Sequence, residues 1–582
     1  MEREIRVSSV SQRVPMRTIR ALLRVVGALV LLANPAAARA AKWTVATIFV
    51  GEYDDMEKRM RTTGSSDDVN VIVLHYKGPN DAVAYKLLKD TNTSHPPGQC
   101  CPDDEPTCCG IEDIPLSAIG IDSTVSASAV KKFYEYLVQA FPADHYLLGL
   151  RGAQDPTRAL VGHSWTDGIT IAELNSALKA MVDARGGKKV EVLVAGYCVT
   201  GAIDIAYGVS QNVSYFVGSP NFTNSPVATR WRVYRWAREV IEKPNISIRN
   251  LASKVVDLFE LTTTDCVENN DGCSNAPKEP WTCVAIESAK LPGVAAAVKD
   301  AVCAVLPSLT PSMHSSLLAE TTLYGSNKTP RYDMAHYFMN LKTKVSDAAA
   351  KAAIDRVIAA HRASIVSWKY EAGSYNDKAY GYSFFTMADL GNVSEIGNWQ
   401  IDSLWQAYIA KANGSSTNPL PAATEMVIDP AEVNLSMGGQ ASATARGVSS
   451  RYPSMCALPS VSWSTDALNG VAKLDSASAN PVTVTGQQPG TGTLKASASG
   501  FTGEAAVKVS GTARPDAGAD SPEDTDGGST IADAGAEPRG DTGGGSTNKT
   551  TSSPSGSCGS SAGFVLFLPP LVGVGFKRRH RG

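Results

Sequence analysis

The chain has 582 residues, too many for one hydrophobic core, so two folded domains with tails are expected. Its 54 Lys and Arg against 57 Asp and Glu leave a formal net charge of −3, with no basic excess of the kind a nucleic-acid partner would need. Eleven cysteines are many for a reducing cytosol and suit an oxidising compartment.

Arg17, Arg20 and Arg24 precede an apolar run at 25–33, and Pro35 and small residues follow through Ala40. That is the order of a secretory signal, and the run is too short to cross a bilayer as a mature helix. Residues 1–41 are read as the signal, cut near Ala40 or Ala41, with Met16 as an alternative start. Residues 43–50 (WTVATIFV) and 69–74 read as strands, and 82–88 as a short third. Cys100, Cys101, Cys108 and Cys109 crowd an insertion at 94–112. A reducing cell would favour metal there; an exported chain favours disulfides.

A helix at 125–141, with Val130, Phe133 and Leu137 on one stripe, leads into the apolar run YLLGL at 146–150. Thr170 and Glu173 form a capping-box pattern for a helix to about 184, stopped by Gly186 and Gly187. A second buried strand at 190–195, a helix from about Gly201 and a strand at 214–218 keep the strand–helix rhythm of a parallel sheet. Beyond Pro226 the pattern is mostly helical (228–241, 247–261, 285–305, 348–368), closing with a strand at 380–387 and a helix at 399–409. Cys266, Cys273, Cys283 and Cys303 fall here and join the earlier four as disulfide candidates of open pairing. Cys198, Cys456 and Cys558 are left as singles.

From Met426 the composition shifts to short alternating segments with Gly and Pro between them, the pattern of a β-sandwich over 426–511 after a linker at 412–425. Residues 512–557 are Gly, Ser, Thr, Asp and Pro with almost nothing apolar, a disordered linker. The last segment, 558–582, carries Cys558, an apolar stretch at 564–576 broken by Pro569 and Pro570, and the basic cluster Lys577, Arg578, Arg579 and Arg581.

In open α/β sheets the chemistry gathers just past the carboxyl ends of the strands. Two such junctions stand out: Leu150-Arg151-Gly152, and Ala195-Gly196-Tyr197-Cys198. A strand-end cysteine beside a neighbouring strand end is where a nucleophile and its base are expected. With Phe141-Pro-Ala-Asp-His-Tyr-Leu-Leu-Gly-Leu-Arg-Gly, Tyr332-Asp-Met and Gly381-Tyr-Ser-Phe-Phe, residues 42–411 resemble the clostripain family of cysteine peptidases.

The resemblance implies an α/β fold with a caspase-like, mostly parallel sheet flanked by helices, followed here by a small all-β Ig-like sandwich. It implies a nucleophile at Cys198, and it exposes two departures. The family carries His-Gly where this chain has Arg151-Gly152, and Asp-Ala-Cys where this chain has Gly196-Tyr197-Cys198. A guanidinium favours a thiolate, but it neither gives nor takes a proton at neutral pH. Gly196 and Ser219 are the expected substrate-side positions. His163, in the loop after the Arg151 strand, is the candidate substitute base, against a reading as a solvated loop residue; His145 begins that strand and belongs at the opposite end. Cys198 can equally be read as a buried free thiol.

The segments around Ser462-Trp-Ser and Val484-Thr-Gly resemble bacterial Ig-like domains of group 2. The tail resembles the myxobacterial C-terminal sorting signal, with Cys558 as the anchoring point; a plain membrane tail anchor is the alternative. No cofactor is expected, and calcium enters only through relatives. The expected partners are a peptide or protein ligand and, through the tail, the membrane, with export to the cell surface and no nucleic acid. Three functions follow: a decayed peptidase kept for binding, an active peptidase of non-basic specificity using Cys198 and His163, and an adhesion protein working through its Ig-like domain.

Overall fold

The computed structural model describes residues 40–51, 60–78, 80–89, 109–152, 168–196, 199–221, 233–259, 282–324, 330–370, 378–385, 398–414 and 420–511. Residues 1–39 of the expected signal, the 512–557 linker and the sorting tail, with Cys100, Cys101, Cys108, His163, Cys198, Cys266, Cys273 and Cys558, lie outside them, whereas Ala41, placed at the end of the expected signal, opens the first strand.

The first strands in chain order are β1 (Ala41–Val50), β2 (Val69–Gly78), β3 (Asp81–Leu87), β4 (Ile111–Asp113), β5 (Ala143–Arg151) and β6 (Val190–Ala195). Then come β7 (Val213–Gly218), β8 (Thr282–Glu287), β9 (Leu323–Tyr324), β10 (Arg331–Asp333), β11 (Ile365–Tyr370) and β12 (Ser383–Phe385). Nine of them form one sheet in the order β11-β8-β7-β6-β5-β1-β2-β3-β4. The five central strands, β7 to β2, are parallel, whereas β3, β4, β8 and β11 add on antiparallel. The sheet is therefore mixed, with a parallel middle and antiparallel flanks.

Period-two alternation decides which face each side chain covers. In β1, Trp43, Val45 and Phe49 enter one core, and Ala46, Ile48 and Val50 enter the other. One face is covered by helices α1 (Ala127–Ala140), α2 (Ile171–Ala184) and α3 (Ile203–Val209), and the other by α4 (Val233–Glu242) and α5 (Ile248–Asp257). The Thr170 cap and its reciprocal Glu173 bond start α2 as the sequence pattern predicts. Further helices, α6 (Leu291–Val305), α7 (Met334–Lys344), α8 (Ala348–Ser364) and α9 (Trp399–Asp402), enlarge the core on the α1–α3 face.

Two expected helices are shorter than the sequence pattern indicates. The 285–305 segment begins as strand β8, and α8 ends at Ser364, where Ile365, Val366, Trp368 and Tyr370 continue as β11. Those residues are β-branched or aromatic, types that fit a pleated surface better than a helix. The cysteine expectations change as well. Cys283 is no disulfide partner: it is a free thiol in β8, sealed in the core, and burial pushes its pKa well up. Cys303 is bonded to Cys456, the residue read as a single, and Cys109 is disulfide-bonded.

Residues 425–510 form a β-sandwich. One four-stranded sheet runs Glu425–Asp429, Gln440–Val448, Val482–Gly486, Ala472–Leu474, and the other Glu432–Ser436, Phe501–Ser510, Gly490–Ala498, Ser462–Ser464. Their inner faces share a separate core with Trp463, Leu468, Val484, Leu494 and Val507.

Candidate active site

The two junctions meet at the carboxyl ends of β5 and β6. Strand β5 lies between β1 and β6, with Phe49 opposite Arg151 on one side and Ala195 opposite Leu150 on the other. Gly196 is drawn against β5 by its amide, which donates to the Leu150 carbonyl at 2.8 Å. Arg151 is only 5% exposed, and its Nη1 donates to the carbonyl of Gly196. The guanidinium thus bridges the two strand ends. Gly152 and Gly196 are buried.

The backbone from Val199 onward is fixed from several sides. Val199 has φ 54°, a left-handed conformation that β-branched residues rarely adopt, and its amide donates to the Asn221 carbonyl at 2.9 Å. Thr200 returns its hydroxyl to the Ala195 carbonyl at 2.7 Å, and Gly201 donates its amide to the Ser219 carbonyl at 2.7 Å. Ser219 is fully buried and gives its own hydroxyl to the Asn221 carbonyl at 3.0 Å. Gly201 has to be glycine, because a Cβ there would sit 2.5 Å from the Pro220 nitrogen.

A second support comes from a small sheet, β12-β10-β9. The Ser383 amide of β12 donates to the Gly201 carbonyl at 2.9 Å. Arg331 of β10 reaches both carboxylate oxygens of Asp204, in the first turn of α3, at 3.2 and 3.1 Å, and both side chains are 1% exposed. Asp333, at the end of β10, caps α7 through the His336 amide and also accepts from the Tyr380 amide and the Tyr324 hydroxyl. Burial pushes its pKa up to about 6, with those three donors opposing the shift.

Sequence reasoning did not single out Arg331, Asp204 or Ser383 as supports, because isolated charges in short elements carry no periodic signal. It also passed over His75. This fully buried histidine lies in the second half of β2, opposite Phe49, which is itself opposite Arg151. The Phe49 ring lies edge-on to the imidazole, centroids 5.9 Å apart, and His75 Nε2 bonds the Gly51 carbonyl at 2.9 Å. His145 sits near the start of β5, at the other end of the sheet. Two adjoining shallow cavities, about 580 and 550 Å³, open at that end beside Lys189, Ser214 and Ile248. Among the described residues, no group of three or more His, Cys, Asp or Glu side chains could hold a metal ion.

The sequence model of the clostripain family, Peptidase_C11, matches residues 54–395. The chain belongs to the clostripain family. Among solved structures, an inactive zymogen C11 protease from Parabacteroides distasonis is similar at 14% identity, covering 62% of this chain and 98% of that one, with a TM-score of 0.41. A secreted C11 cysteine protease from Bacteroides thetaiotaomicron, in complex with an irreversible peptide inhibitor, is similar at 15% identity, covering 63% and 99%, with a TM-score of 0.42. No curated protein matches the chain. In this clostripain-family chain, Arg151 and Gly196 stand side by side at the carboxyl ends of β5 and β6.

Proposed function

We propose that this clostripain-family chain is an exported, surface-anchored protein whose peptidase site has decayed and is kept as a binding site for a peptide or protein ligand. One observation carries the reading: the strand-end position that corresponds by resemblance to the catalytic histidine is Arg151, buried and engaged with the Gly196 carbonyl. Peptide cleavage needs a proton delivered to the leaving amine and another taken from water. An arginine, with a pKa of about 12.5–13.8, supplies neither. Loss of general acid–base help typically costs about 10²–10⁴-fold. Gly196, in the place of the family aspartate, removes the charge that would hold a basic substrate side chain. The Cys303–Cys456 disulfide supports export, since such bonds persist in oxidising compartments. The sandwich is read as the Ig-like domain and Cys558 as the anchoring point.

The test is turnover of a mixed peptide library by the full mature chain, beside Cys198→Ala, His163→Ala and Arg151→His. The expected result is wild-type cleavage no higher than the Cys198→Ala background, with any gain appearing in Arg151→His. Wild-type cleavage abolished by both Cys198→Ala and His163→Ala would overturn the reading and establish a rebuilt dyad.

A further inference from the structure

The sandwich is pinned to the α/β domain by more than the chain that joins them. Cys303 on α6 is bonded to Cys456 in the sandwich's 449–458 segment. Beside it, Arg446 donates Nη2 to Asp300 of α6 at 2.6 Å, Nε to Asp429 at 3.0 Å and Nη1 to the Met455 carbonyl at 3.3 Å. Lys299 of α6 reaches Ser454 at 3.0 Å and Asp429 at 3.5 Å. The Arg446 and Lys299 side chains are 5% and 8% exposed. Burial lowers the Lys299 pKa, and the Asp429 carboxylate opposes that shift. Charges this far out of water are tolerated only when paired, so the interface is built for permanent contact.

Apolar packing points the same way. Tyr452 and Met455 belong to the α/β core and not to the sandwich's own, and Leu420, Ala423 and Cys456 pack against that same core. At Gly447 a Cβ would come within 2.9 Å of Ala423 Cβ and 3.2 Å of Met455 Cε, so strand and connecting segment are in close contact.

We propose that the sandwich is a permanently docked part of the peptidase-type domain, that its interface on α6 forms without the disulfide, and that Cys303–Cys456 then locks it. The functional unit is the α/β domain with its sandwich, not the α/β domain alone. Residues 512–582 continue from the sandwich, so whatever they attach to is joined to the α/β domain through this dock. The proposal holds whether or not the site turns over substrate.

Hydrogen exchange on the full chain tests it, read at α6 and at 452–458. Cys456→Ser, or wild type treated with dithiothreitol, should stay protected there, losing no more protection at α6 and 452–458 than β1 and β5 lose through the lower global stability. Cys456→Ser combined with Arg446→Ala and Lys299→Ala should exchange at least about tenfold faster than Cys456→Ser alone at both segments, while protection in β1 and β5 stays at the Cys456→Ser level. Full loss of protection on reduction alone would overturn the proposal, because the bond would then be making the contact. Unchanged protection in the triple variant would equally overturn it, because the charged interface would not be holding the dock.

Discussion

Replacing Arg331 by Met should be among the most damaging single changes in the α/β domain. It removes the guanidinium whose Nη1 donates to both oxygens of Asp204 and leaves a carboxylate that is 1% exposed with its counter-charge gone. Breaking a buried pair from one side costs about 3–5 kcal/mol, because the remaining charge keeps its desolvation penalty and loses its compensation. Removing both charges, as in Asp204→Leu with Arg331→Met, should recover most of that loss and come within about 1–2 kcal/mol of wild type. Urea titrations of the four proteins in this double-mutant cycle measure the coupling directly. A single Arg331→Met variant that lost less than about 1 kcal/mol would refute the reasoning, since the carboxylate would have to be solvated after all.

Three further outcomes are expected. Cys456→Ser should lower unfolding free energy: closing a loop of sequence separation 153 is worth about 5 kcal/mol by chain entropy, with about 2–4 typical of measured bonds, and titration with and without reductant reads it. His361 is fully buried, and burial lowers its pKa from 6.5 to about 3, so the unfolded chain binds the extra proton between those values and stability is lost as pH falls below 6.5. Asp333, raised to about 6, acts in the opposite sense, gaining stability as pH falls from 6 toward 3.8, and it does so equally in wild type and in His361→Phe. The stability of His361→Phe relative to wild type should therefore rise by on the order of 3 kcal/mol between pH 7 and pH 4, and a constant difference would contradict this. Gly201→Ala should cost about 1–3 kcal/mol in thermal or urea unfolding, because its Cβ meets backbone at 2.5 and 2.7 Å that cannot swing aside.

The strands that frame the site were legible because they are continuous apolar runs: β1, β5, β6 and β7 read directly from 43–50, 146–150, 190–195 and 214–218. The capping box gave the start of α2 for a local reason, a side chain and a backbone amide three residues apart. The antiparallel flanks were not legible. Strand β8 is six residues lying just before a helix, and β11 follows α8 without a break, so helical periodicity runs over both. What makes them strands is a partner far off in sequence: Ile365 pairs with Ile286, and Phe216 with Ile286 from the other side. That Arg151 ends the β5 run, where the resemblance implies histidine, was visible in the sequence, but not that its guanidinium reaches Gly196. The Cys303–Cys456 pairing was equally hidden, because nothing in the spacing of the two residues says that α6 receives the sandwich.

The strand order has a consequence for how the chain is made. Strand β1, among the first residues of the folded part, is central, with β2 on one side and β5 almost a hundred residues later on the other. Until β5 is available, a largely apolar strand has one edge open to any other chain. The sheet is not complete until β11, at 365–370, has paired with β8. Non-local pairing of this kind makes folding slow and leaves edges exposed while it proceeds. A chain built this way needs its first strand guarded until its last one arrives.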